Sequence, residues 1–505
     1  MIPKNLIKIF NSLLFFILYI TVSGQSSFEF TFQTTYDEEI MDGIQDSFGN
    51  YILCGRQGNY MQEYNPLIMK VDKNGNYSTR IISSPDTVGY FNLVTQTPDG
   101  NYMFFGQYSL SPDNTYNYLW IVKTDSNLNT MFEKSYYIAN TTYNNCNLHR
   151  LYVDRDSNYC VAGKLNNISG THENSDLWMI KFNHAGDTLM TKTHNYSSNQ
   201  WAQELSQIPE TNEYMVIGGS FDGSTSDVEL FLMDSLFNKT GFTNVPKSYP
   251  NKYIGGPQAS SDIWINDTMF LMSTSVLDTI GKRANDGSLG VFKVDTSGFL
   301  YDHLILGKPD TNEYAAHKNS MASVNDSTIF LGSYTIQVSF WSENPNLIEL
   351  YLIDTSLSLL GYKDYGYDAY YWLQGIIPTS DEGCLIYASR YDHSVNIYER
   401  DVHIIKMQKT DMDIITNASN QNRTPVSLLA YPNPVKECLT IELEEPKRIV
   451  QVFAIDIEGN KTLLDFVQIT SNLKVIKMQN LASGLYILQL INTESEIVSL
   501  KILKK

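Results

Sequence analysis

Cysteine is scarce in this sequence of 505 residues, which contains only Cys54, Cys146, Cys160, Cys384 and Cys438. An odd number of cysteines scattered over a long chain argues against a disulfide framework. No CxxC pair or Cys/His cluster has the spacing of a zinc site, so a zinc domain is not expected. Cys54, Cys160 and Cys384 lie in strand-like apolar stretches, where we expect them to be buried as small hydrophobic side chains.

The sequence also lacks the motifs of familiar enzyme classes. It contains no GxSxG, no HExxH and no phosphate-binding loop. Beyond residue 24, no stretch is apolar enough to cross a bilayer, so no stable transmembrane segment is predicted. No catalytic residue is therefore predicted, and no motif names a substrate.

Basic residues are few, since 36 Lys and Arg stand against 55 Asp and Glu, which gives a net charge of −19. Such an acidic chain repels nucleic-acid phosphates, and nucleic acid is not expected as a partner. No cofactor is predicted, but Ca²⁺ stays open, because "DKNGN" (72–76) resembles the start of a calcium-binding loop. Position twelve of that loop would be Ser83 rather than Glu, so a hairpin turn is the better interpretation.

Residues 1–24 have the features of a signal peptide. Lys4 and Lys8 precede the apolar run "LLFFILYITV" (13–22), and small residues follow before Gln25. The run is short for a membrane span, although an uncleaved anchor stays open as the alternative. We expect cleavage after Gly24 and export.

Most of the remaining sequence repeats one pattern seven times. Each copy is a turn followed by an apolar strand that ends in a small residue, as in "DSFGNYILCG" (46–55) and "TPDGNYMFFG" (97–106). A second apolar run, such as "LWIVKTDSNLN" (119–129), follows each copy after a polar gap. Four short strands in a period of about 55 residues are typical of one β-propeller blade. The sequence therefore predicts an all-β fold with a seven-bladed β-propeller over residues 25–415.

The two ends of the repeat region complement each other. The seventh copy ends at "VHIIKMQKTD" (402–411) with no convincing fourth strand, while "FEFTFQTTY" (28–36) stands alone before the first copy. We predict that this N-terminal strand completes the last blade, because ring closure removes exposed sheet edges. No recurring motif of a named propeller family is present, so no activity is carried over.

A second domain is predicted after a polar linker over residues 416–425. Residues 426–505 contain alternating strands separated by turn residues, which indicates a small Ig-like β-sandwich. Its prolines predict that "YPNP" (431–434) is a stiff extended segment leading into "LTIEL" (439–443). Gly459 suits a hairpin turn, and Gly484 suits a tightly closed loop.

The tail also resembles a known family. "YPNP", "IDIEGN" (455–460), "LASGLYILQL" (481–490) and the lysine-bearing end "SLKILKK" occur in this order. Together they resemble the C-terminal sorting domain, type A, of the type IX secretion system. The resemblance implies passage through the periplasm, recognition of the tail by an outer-membrane translocon and its removal by a sortase-like peptidase. The protein would then be secreted or held at the outer cell surface. The residues that carry the resemblance are Tyr431, Pro432, Asn433, Pro434, Gly459, Gly484, Tyr486 and Lys505.

The loops between the predicted blades are rich in Tyr, Trp, Asn and Asp. Propellers commonly bind ligands where such loops converge over the channel mouth. Rings beside amides and carboxylates suit carbohydrate, because sugar C–H faces stack on rings and hydroxyls need polar partners. The same aromatics could instead pack between blades. The candidate ligand-binding residues are Trp201, Tyr370, Tyr371, Trp372 and His317.

Three functions stay open. The first is a secreted module that binds carbohydrate or a surface protein, the second is a polysaccharide-degrading enzyme, either hydrolase or lyase, and the third is a structural propeller. An enzyme needs ionisable groups that converge at the channel, a glycan binder needs exposed ring faces, and a structural propeller needs neither.

Overall fold

The chain divides into two units, Met1–Asn417 and Ala418–Lys505, in the computed structural model. The predicted signal peptide, the predicted linker and Gly459 lie outside the described residues. The structure describes residues 27–505 except 61–62, 83–87, 111–117, 139–141, 168–174, 196–198, 222–225, 246–247, 250–251, 255–260, 278–286, 309–310, 337–343, 367, 396–398, 415–427, 444–448, 457–460, 469–472 and 493–496.

The first unit consists of seven antiparallel sheets, or blades, that follow one another along the chain. A separate strand, β1 (Phe28–Phe32), precedes them. In blades 1 to 4, four consecutive strands pair in chain order. These strands are β2 Asp37–Gln45, β3 Tyr51–Gly58, β4 Tyr64–Val71 and β5 Tyr77–Ile81; β6 Val88–Gln96, β7 Tyr102–Ser109, β8 Tyr118–Thr124 and β9 Thr130–Tyr137; β10 Tyr143–Val153, β11 Tyr159–Asn167, β12 Ser175–Phe182 and β13 Thr188–His194; and β14 Asn199–Gln207, β15 Tyr214–Phe221, β16 Ser226–Met233 and β17 Lys239–Asn244.

Blades 5 and 6 are less regular. In each, one long strand, β21 or β26, pairs on one side with two short strands instead of one. The strands are β18 Ser248–Tyr249, β19 Lys252–Ile254, β20 Ser261–Trp264, β21 Met269–Leu277, β22 Gly287–Asp295 and β23 Leu300–Leu306; β24 Asn312–Ala315, β25 Met321–Asn325, β26 Thr328–Ile336, β27 Leu347–Ile353 and β28 Leu359–Gly366; and, in blade 7, β29 Tyr370–Pro378, β30 Cys384–Tyr391 and β31 Asp401–Met407. A 3₁₀ turn (Lys409–Asp411) and β32 (Asp413–Ile414) follow, and β32 pairs with β28.

The blades form a closed ring. Their inner strands contact one another in the order β2, β6, β10, β14, β20, β25, β29 and back to β2. Strand β1 pairs with β31 from Phe28 opposite Lys406 to Phe32 opposite Val402, so blade 7 has the order β29-β30-β31-β1. The prediction that the N-terminal strand completes the last blade is confirmed.

A buried hydrophobic cluster fills the space between each pair of adjacent blades, which gives seven clusters in the described part of the propeller. For example, Leu53 of blade 1 packs with Leu385 of blade 7, and Ile52 of blade 1 packs with Phe104 of blade 2. Each central strand is thus covered on both faces, which explains why its apolar run is continuous. Cys54, Cys160 and Cys384 are buried as predicted.

The hairpin turn predicted at residues 72–76 is confirmed. The Asp72 carboxylate accepts hydrogen bonds from the backbone N–H groups of Asn74 and Asn76, at 2.8 and 2.9 Å. Gly75 takes a φ of 87° there, a conformation that costs glycine little. Leu128 holds the equivalent position between β8 and β9 with a φ of 68°.

The second unit is a small β-sandwich. One sheet has the order β33 (Leu428–Tyr431), β34 (Cys438–Leu443), β38 (Leu473–Lys477) and β37 (Phe466–Gln468). The other has the order β36 (Lys461–Leu463), β35 (Ile449–Ile455), β39 (Gly484–Asn492) and β40 (Ile497–Lys504). One hydrophobic cluster joins the sheets and includes Leu439 and Ile476 of the first and Val452, Tyr486 and Leu488 of the second.

Two expectations for this unit are wrong. "YPNP" does not lead into the first strand, because β33 precedes it and ends on Tyr431; pairing stops there since the prolines that follow have no N–H to donate. The peptide bonds before Pro432 and Pro434 are cis. Gly484 does not close a tight loop but begins β39, and a Cβ at Gly484 would meet its nearest neighbour at 3.7 Å, an ordinary contact.

Candidate functional site in the central channel

Five of the inner strands carry a β-bulge at the same height. The register shifts between Ile40 and Asp42 in blade 1 and between Leu148 and Arg150 in blade 3, and equivalent shifts occur in blades 2, 4 and 7. A bulge leaves one residue unpaired and re-aims the neighbouring side chains. The unpaired residues here are Met41, Asn92, His149, Gln203 and Gln374.

The residue two positions before each bulge lies at one common level, nearer to the start of the inner strands. We call these five residues the rim set. The two tryptophans of the set, on blades 4 and 7, are half-buried, and so is its asparagine. The rim set therefore places aromatic, amide and carboxylate groups at one level of the ring. Its members are Glu39, Tyr90, Asn147, Trp201 and Trp372.

The rim set also explains the small residue that ends each repeated strand. Gly55 lies so close to Glu39 that an added Cβ would stand 1.8 Å from the Glu39 carbonyl oxygen. At Gly106 the corresponding distance to the Tyr90 carbonyl oxygen is 2.1 Å. The bulge thus brings a rim carbonyl into the space that a side chain would occupy.

Between β24 and β25, residues 317–319 form what we call the channel segment. This segment pairs with the inner strand of blade 7: His317 N–H donates to the Leu373 carbonyl at 3.0 Å, and Lys318 N–H donates to the Gln374 carbonyl at 2.7 Å. Asn319 accepts from the Ile376 N–H at 2.9 Å. The segment thus joins blade 6 to blade 7 at the level of the bulges.

Lys318 extends this connection to blade 3. Its Nζ donates to the His149 carbonyl at 3.0 Å, and Arg150 donates back from Nη2 to the Lys318 carbonyl. The crowded surroundings lower the pKa of Lys318 to about 8, mainly through desolvation and then through the charge of Arg150.

Ionisable groups converge beside the channel segment. Arg150 is buried and donates from Nε to Glu204 Oε2 at 3.0 Å. Burial raises the pKa of Glu204 to about 7, since the charge of Arg150 only partly offsets the loss of water and the charge of Asp262 adds to it. Burial also raises the pKa of Asp262, whose Oδ2 accepts from Ser206 Oγ at 2.6 Å.

At the rim, Glu39 is held between two arginines. Arg56 Nη2 lies 2.6 Å and Arg400 Nη1 lies 3.1 Å from Glu39 Oε2, and Gln374 Nε2 donates to Oε1 at 2.7 Å. Burial alone would raise the pKa of Glu39, but Arg400 and Arg56 outweigh it and lower this pKa to about 2. Glu39 is thus an ionised, fully engaged group.

The five predicted ligand residues are placed differently. His317 is exposed, and its ring meets the Trp372 ring edge to face with centroids 5.8 Å apart. Trp201 lies on blade 4, at the level of Trp372. Tyr370 and Tyr371 are only 4% and 3% exposed, and Tyr371 packs in the core between blades 6 and 7, so these rings offer no face to a ligand. Ligand binding by the five stays a prediction.

Sequence reasoning missed Lys318, Arg150, Glu204 and Asp262. These residues share no sequence pattern that distinguishes a channel residue from a polar residue on the surface. The described part of the chain contains no group of three or more His, Cys, Asp and Glu side chains that could hold a metal ion.

In the sandwich, the predicted motif residues bind the C-terminal strand β40. Asn433 Oδ1 accepts from the Leu503 N–H at 2.9 Å, and its Nδ2 donates to the Lys501 carbonyl at 3.2 Å. Val435 N–H donates to the Leu503 carbonyl, and the Val435 carbonyl accepts from the Lys505 N–H, both at 2.8 Å. The motif therefore covers the free edge of β40 over its last residues.

Residues 429–505 match the family of the secretion system C-terminal sorting domain. The C-terminal unit is such a sorting domain. It directs the chain through the type IX system to the cell surface or beyond, and the machinery of that system recognises it. The protein is thus a type IX cargo whose body is a propeller. No described helix has the length and apolar character needed to span a membrane.

No curated protein matches the chain by sequence. Among solved structures, a fungal alcohol oxidase of the AA5 family matches with 10% identity and a TM-score of 0.40 over 94% of this chain and 99% of that one. PorZ, a surface component of the type IX secretion system of Porphyromonas gingivalis, matches with 12% identity and a TM-score of 0.39 over 94% and 61%. The Nup133 β-propeller domain of Vanderwaltozyma polyspora matches with 10% identity and a TM-score of 0.39 over 75% and 98%. These likenesses concern the fold alone.

Proposed function

We propose that the propeller of this exported cargo binds carbohydrate at the end of the channel where the inner strands begin. The observation that carries the proposal is the rim set, which brings two half-buried tryptophans to one level of the ring beside a half-buried asparagine. The exposed ring of His317 lies against Trp372 at the same level.

The chemistry of these groups fits a sugar. A pyranose ring has apolar C–H faces that stack on Trp201 or Trp372, and its hydroxyls need donors and acceptors such as Asn147 and His317. The channel segment lies beneath this level, so the ligand would rest on the mouth of the channel. A surface protein that presents a glycan would be recognised in the same way.

A glycan and polysaccharide binding screen on the chain lacking residues 1–24 tests the proposal. We expect binding that weakens at least about fivefold in Trp201→Ala or Trp372→Ala, because loss of one stacking contact commonly costs about 1 kcal/mol or more. Phe48→Ala is the matched control: this aromatic is 69% exposed and follows the other end of β2. Binding that is absent, or unchanged in both tryptophan variants, would contradict the proposal.

A polysaccharide-degrading enzyme is the second candidate. One observation favours it: the convergence of Arg150, Glu204 and Asp262, with the pKa of Glu204 raised by burial to about 7, where a carboxyl can act as a general acid. Release of reducing ends or unsaturated ends from a bound polysaccharide, lost in Glu204→Gln, would establish this candidate. Binding without any such release favours the binding module.

We also infer that the sorting domain is recognised by the outer-membrane translocon and removed by a sortase-like peptidase. The match over residues 429–505 supports the first step, since the family is defined by sorting. Mass spectrometry of the protein recovered outside the cell tests the second step. A mature chain that still contains Lys505 would contradict it.

A further inference from the structure

We propose that the carbohydrate bound at the channel is an acidic one, whose anionic group is held between Lys318 and Lys164. This inference rests on the proposed function and deepens it by naming the class of ligand. It is carried by two lysines, one in blade 3 and one that reaches blade 3, neither of which has a carboxylate at ion-pair distance among the described residues.

Lys318 is a channel cation with unused donors. Within the described residues, its Nζ has one acceptor, the His149 carbonyl at 3.0 Å, and no carboxylate at ion-pair distance. Lys181 and Lys406 are buried and pair with Asp154 and Asp381 at 3.1 and 3.0 Å, whereas Lys318 is half-buried. An ammonium has three donors, so two N–H groups of Lys318 remain for acceptors on a ligand.

Lys164 approaches from the neighbouring strand. It stands opposite Asn147 of the rim set in the pairing of β10 with β11, two residues before the bulge at His149. In the part of the chain that the structure describes, the side chain of Lys164 has neither a hydrogen bond nor an ion pair, and desolvation lowers its pKa. After desolvation, the charges of Lys318 and Lys164 are the largest causes that lower the pKa of His149, so both cations face it.

The charges of Asp42 and Glu204 act on Lys318, but neither carboxylate lies at ion-pair distance from it in the described part of the chain. Glu204 is engaged by Arg150, and burial raises the pKa of Glu204 to about 7 and raises that of Asp42 as well. Lys318, Lys164 and Arg150 thus bring three cationic side chains to this part of a chain whose net charge is −19. The acidic surface of the chain repels anions, whereas these cations attract them. A free anion would therefore bind weakly, and an anionic group on a sugar that also stacks on the rim set would bind better.

The expected ligand has a sugar ring that stacks on the rim set and a carboxylate or sulfate that reaches down to the two lysines. A lysine ammonium binds a carboxylate or a sulfate as a point charge. The two lysines therefore predict that the ligand is anionic, but they do not distinguish a carboxylate from a sulfate. A neutral glycan of the same backbone would leave both lysines without a partner.

The test measures binding of oligogalacturonate, its methyl ester and a sulfated galactan oligosaccharide to the chain lacking residues 1–24. We expect an acidic ligand to bind at least about tenfold more tightly than the ester, since hydrogen bonds from an ammonium to an anion are stronger than those to a neutral ester. Lys318→Met and Lys164→Met should each remove most of that difference, and Lys318→Arg should retain part of it. Preference for the carboxylated or the sulfated ligand identifies the acid.

Lys70→Met is the matched control, because Lys70 Nζ also donates to a single backbone carbonyl, that of Ser126 at 2.7 Å, but it lies in β4. If Lys318→Met does not fold, as judged by its melting curve, Lys164→Met decides. Equal binding of the acid and the ester, with binding still lost in Trp372→Ala, would overturn this inference and leave the proposed function intact. Absence of binding to every acidic and neutral glycan would overturn both.

Discussion

Arg400 holds Asp37 across the joint between the last blade and the first. Its Nε donates to Asp37 Oδ1 at 2.7 Å and its Nη2 donates to Oδ2 at 2.6 Å, while Tyr64 OH also donates to Oδ2 at 2.8 Å. Both side chains are almost fully buried, with 4% and 0% exposure. The pairing of β1 with β31 completes the last blade, and this bidentate ion pair then connects the last blade to the first.

Replacing Arg400 should strongly destabilise the propeller. Arg400→Met leaves the Asp37 carboxylate buried without its partner, which costs about 3–5 kcal/mol in comparable pairs. We expect a large drop in the melting temperature, and a partial recovery in the double variant Arg400→Met with Asp37→Leu. Lys134→Met, which breaks the exposed pair with Asp187, is the control and should change stability far less. Equal effects of the two single variants would contradict the role of the joint.

Replacing the glycine at the end of each repeated strand by alanine should destabilise the propeller more when the carbonyl oxygen of the rim residue lies closer to the new Cβ. Gly55→Ala would place a Cβ 1.8 Å from a backbone oxygen, whereas at Gly218 the nearest oxygen is 2.7 Å away. We expect Gly55→Ala to destabilise by about 3 kcal/mol or more and Gly218→Ala by less. Ala388→Gly, at the equivalent position of blade 7, is the control. Chemical denaturation measures the series, and a reversed order of the two glycine variants would show that the clash relaxes.

The contribution of Glu313 to stability should fall as the pH rises above about 5. Burial, with a smaller effect of the Glu349 charge, raises the pKa of Glu313 to about 8, while the unfolded carboxyl titrates near its ordinary value of 4.5. The folded state then binds the proton more tightly, so this stabilisation is complete below pH 4.5 and is lost as the pH passes 8.

Glu313→Gln should therefore flatten the curve of unfolding free energy between pH 5 and pH 9 and make the variant more stable than the parent protein at pH 9. The expected change across that range is on the order of 2–4 kcal/mol. The exposed Glu382→Gln should leave the curve as it is. If the curves of unfolding free energy against pH for Glu313→Gln and the parent protein are parallel, Glu313 does not cause the pH dependence.

Asn433 should determine how firmly the end of the sorting domain is held. Asn433→Ala removes one donor and one acceptor from the edge of β40, which we expect to raise hydrogen exchange at Leu503 about tenfold and to reduce export. Asn433→Asp keeps the acceptor for Leu503 and should have the smaller effect. Lys436→Ala, exposed in the same loop, is the control. Unchanged exchange at Leu503 in Asn433→Ala would show that the main-chain bonds of Val435 suffice.

Truncation after Thr424 should separate folding from sorting. The seven inter-blade clusters and the ring joint all lie before that residue, so we expect the shortened chain to fold. It should accumulate in the periplasm, because it lacks the sorting domain. Cell fractionation measures the outcome, and arrival of the truncated protein at the cell surface would contradict the sorting role.

The repeat, the blade number and the closing strand were all accessible from the sequence, because each apolar run is covered by two neighbouring blades and stays continuous. The turn at residues 72–76 was accessible for a similar reason, since Asp72 acts on its own loop. These features could be predicted because they depend on residues that are close in sequence or on a pattern that recurs along the chain.

The channel was not accessible, because its contacts join residues that no repeat relates. Lys318 and His149 are 169 positions apart, and blades 5 and 6 break the pattern at their inner strands. Tyr370 and Tyr371 also show a limit. A tyrosine beside a polar loop has the same sequence signature whether its ring stacks on a ligand or, as Tyr371 does, packs against the next blade with its hydroxyl bonded to Asp368.

The partner of β1 determines when this protein can finish folding. Thr31 bonds to His403 across 372 positions of chain, so the strand that is synthesised first meets its partner last. Contacts at such separation form slowly, and until they form, two sheet edges stand open to other chains. Any step that handles the chain before β31 is available therefore handles an open ring, which is the stage at which a chaperone would protect it from aggregation.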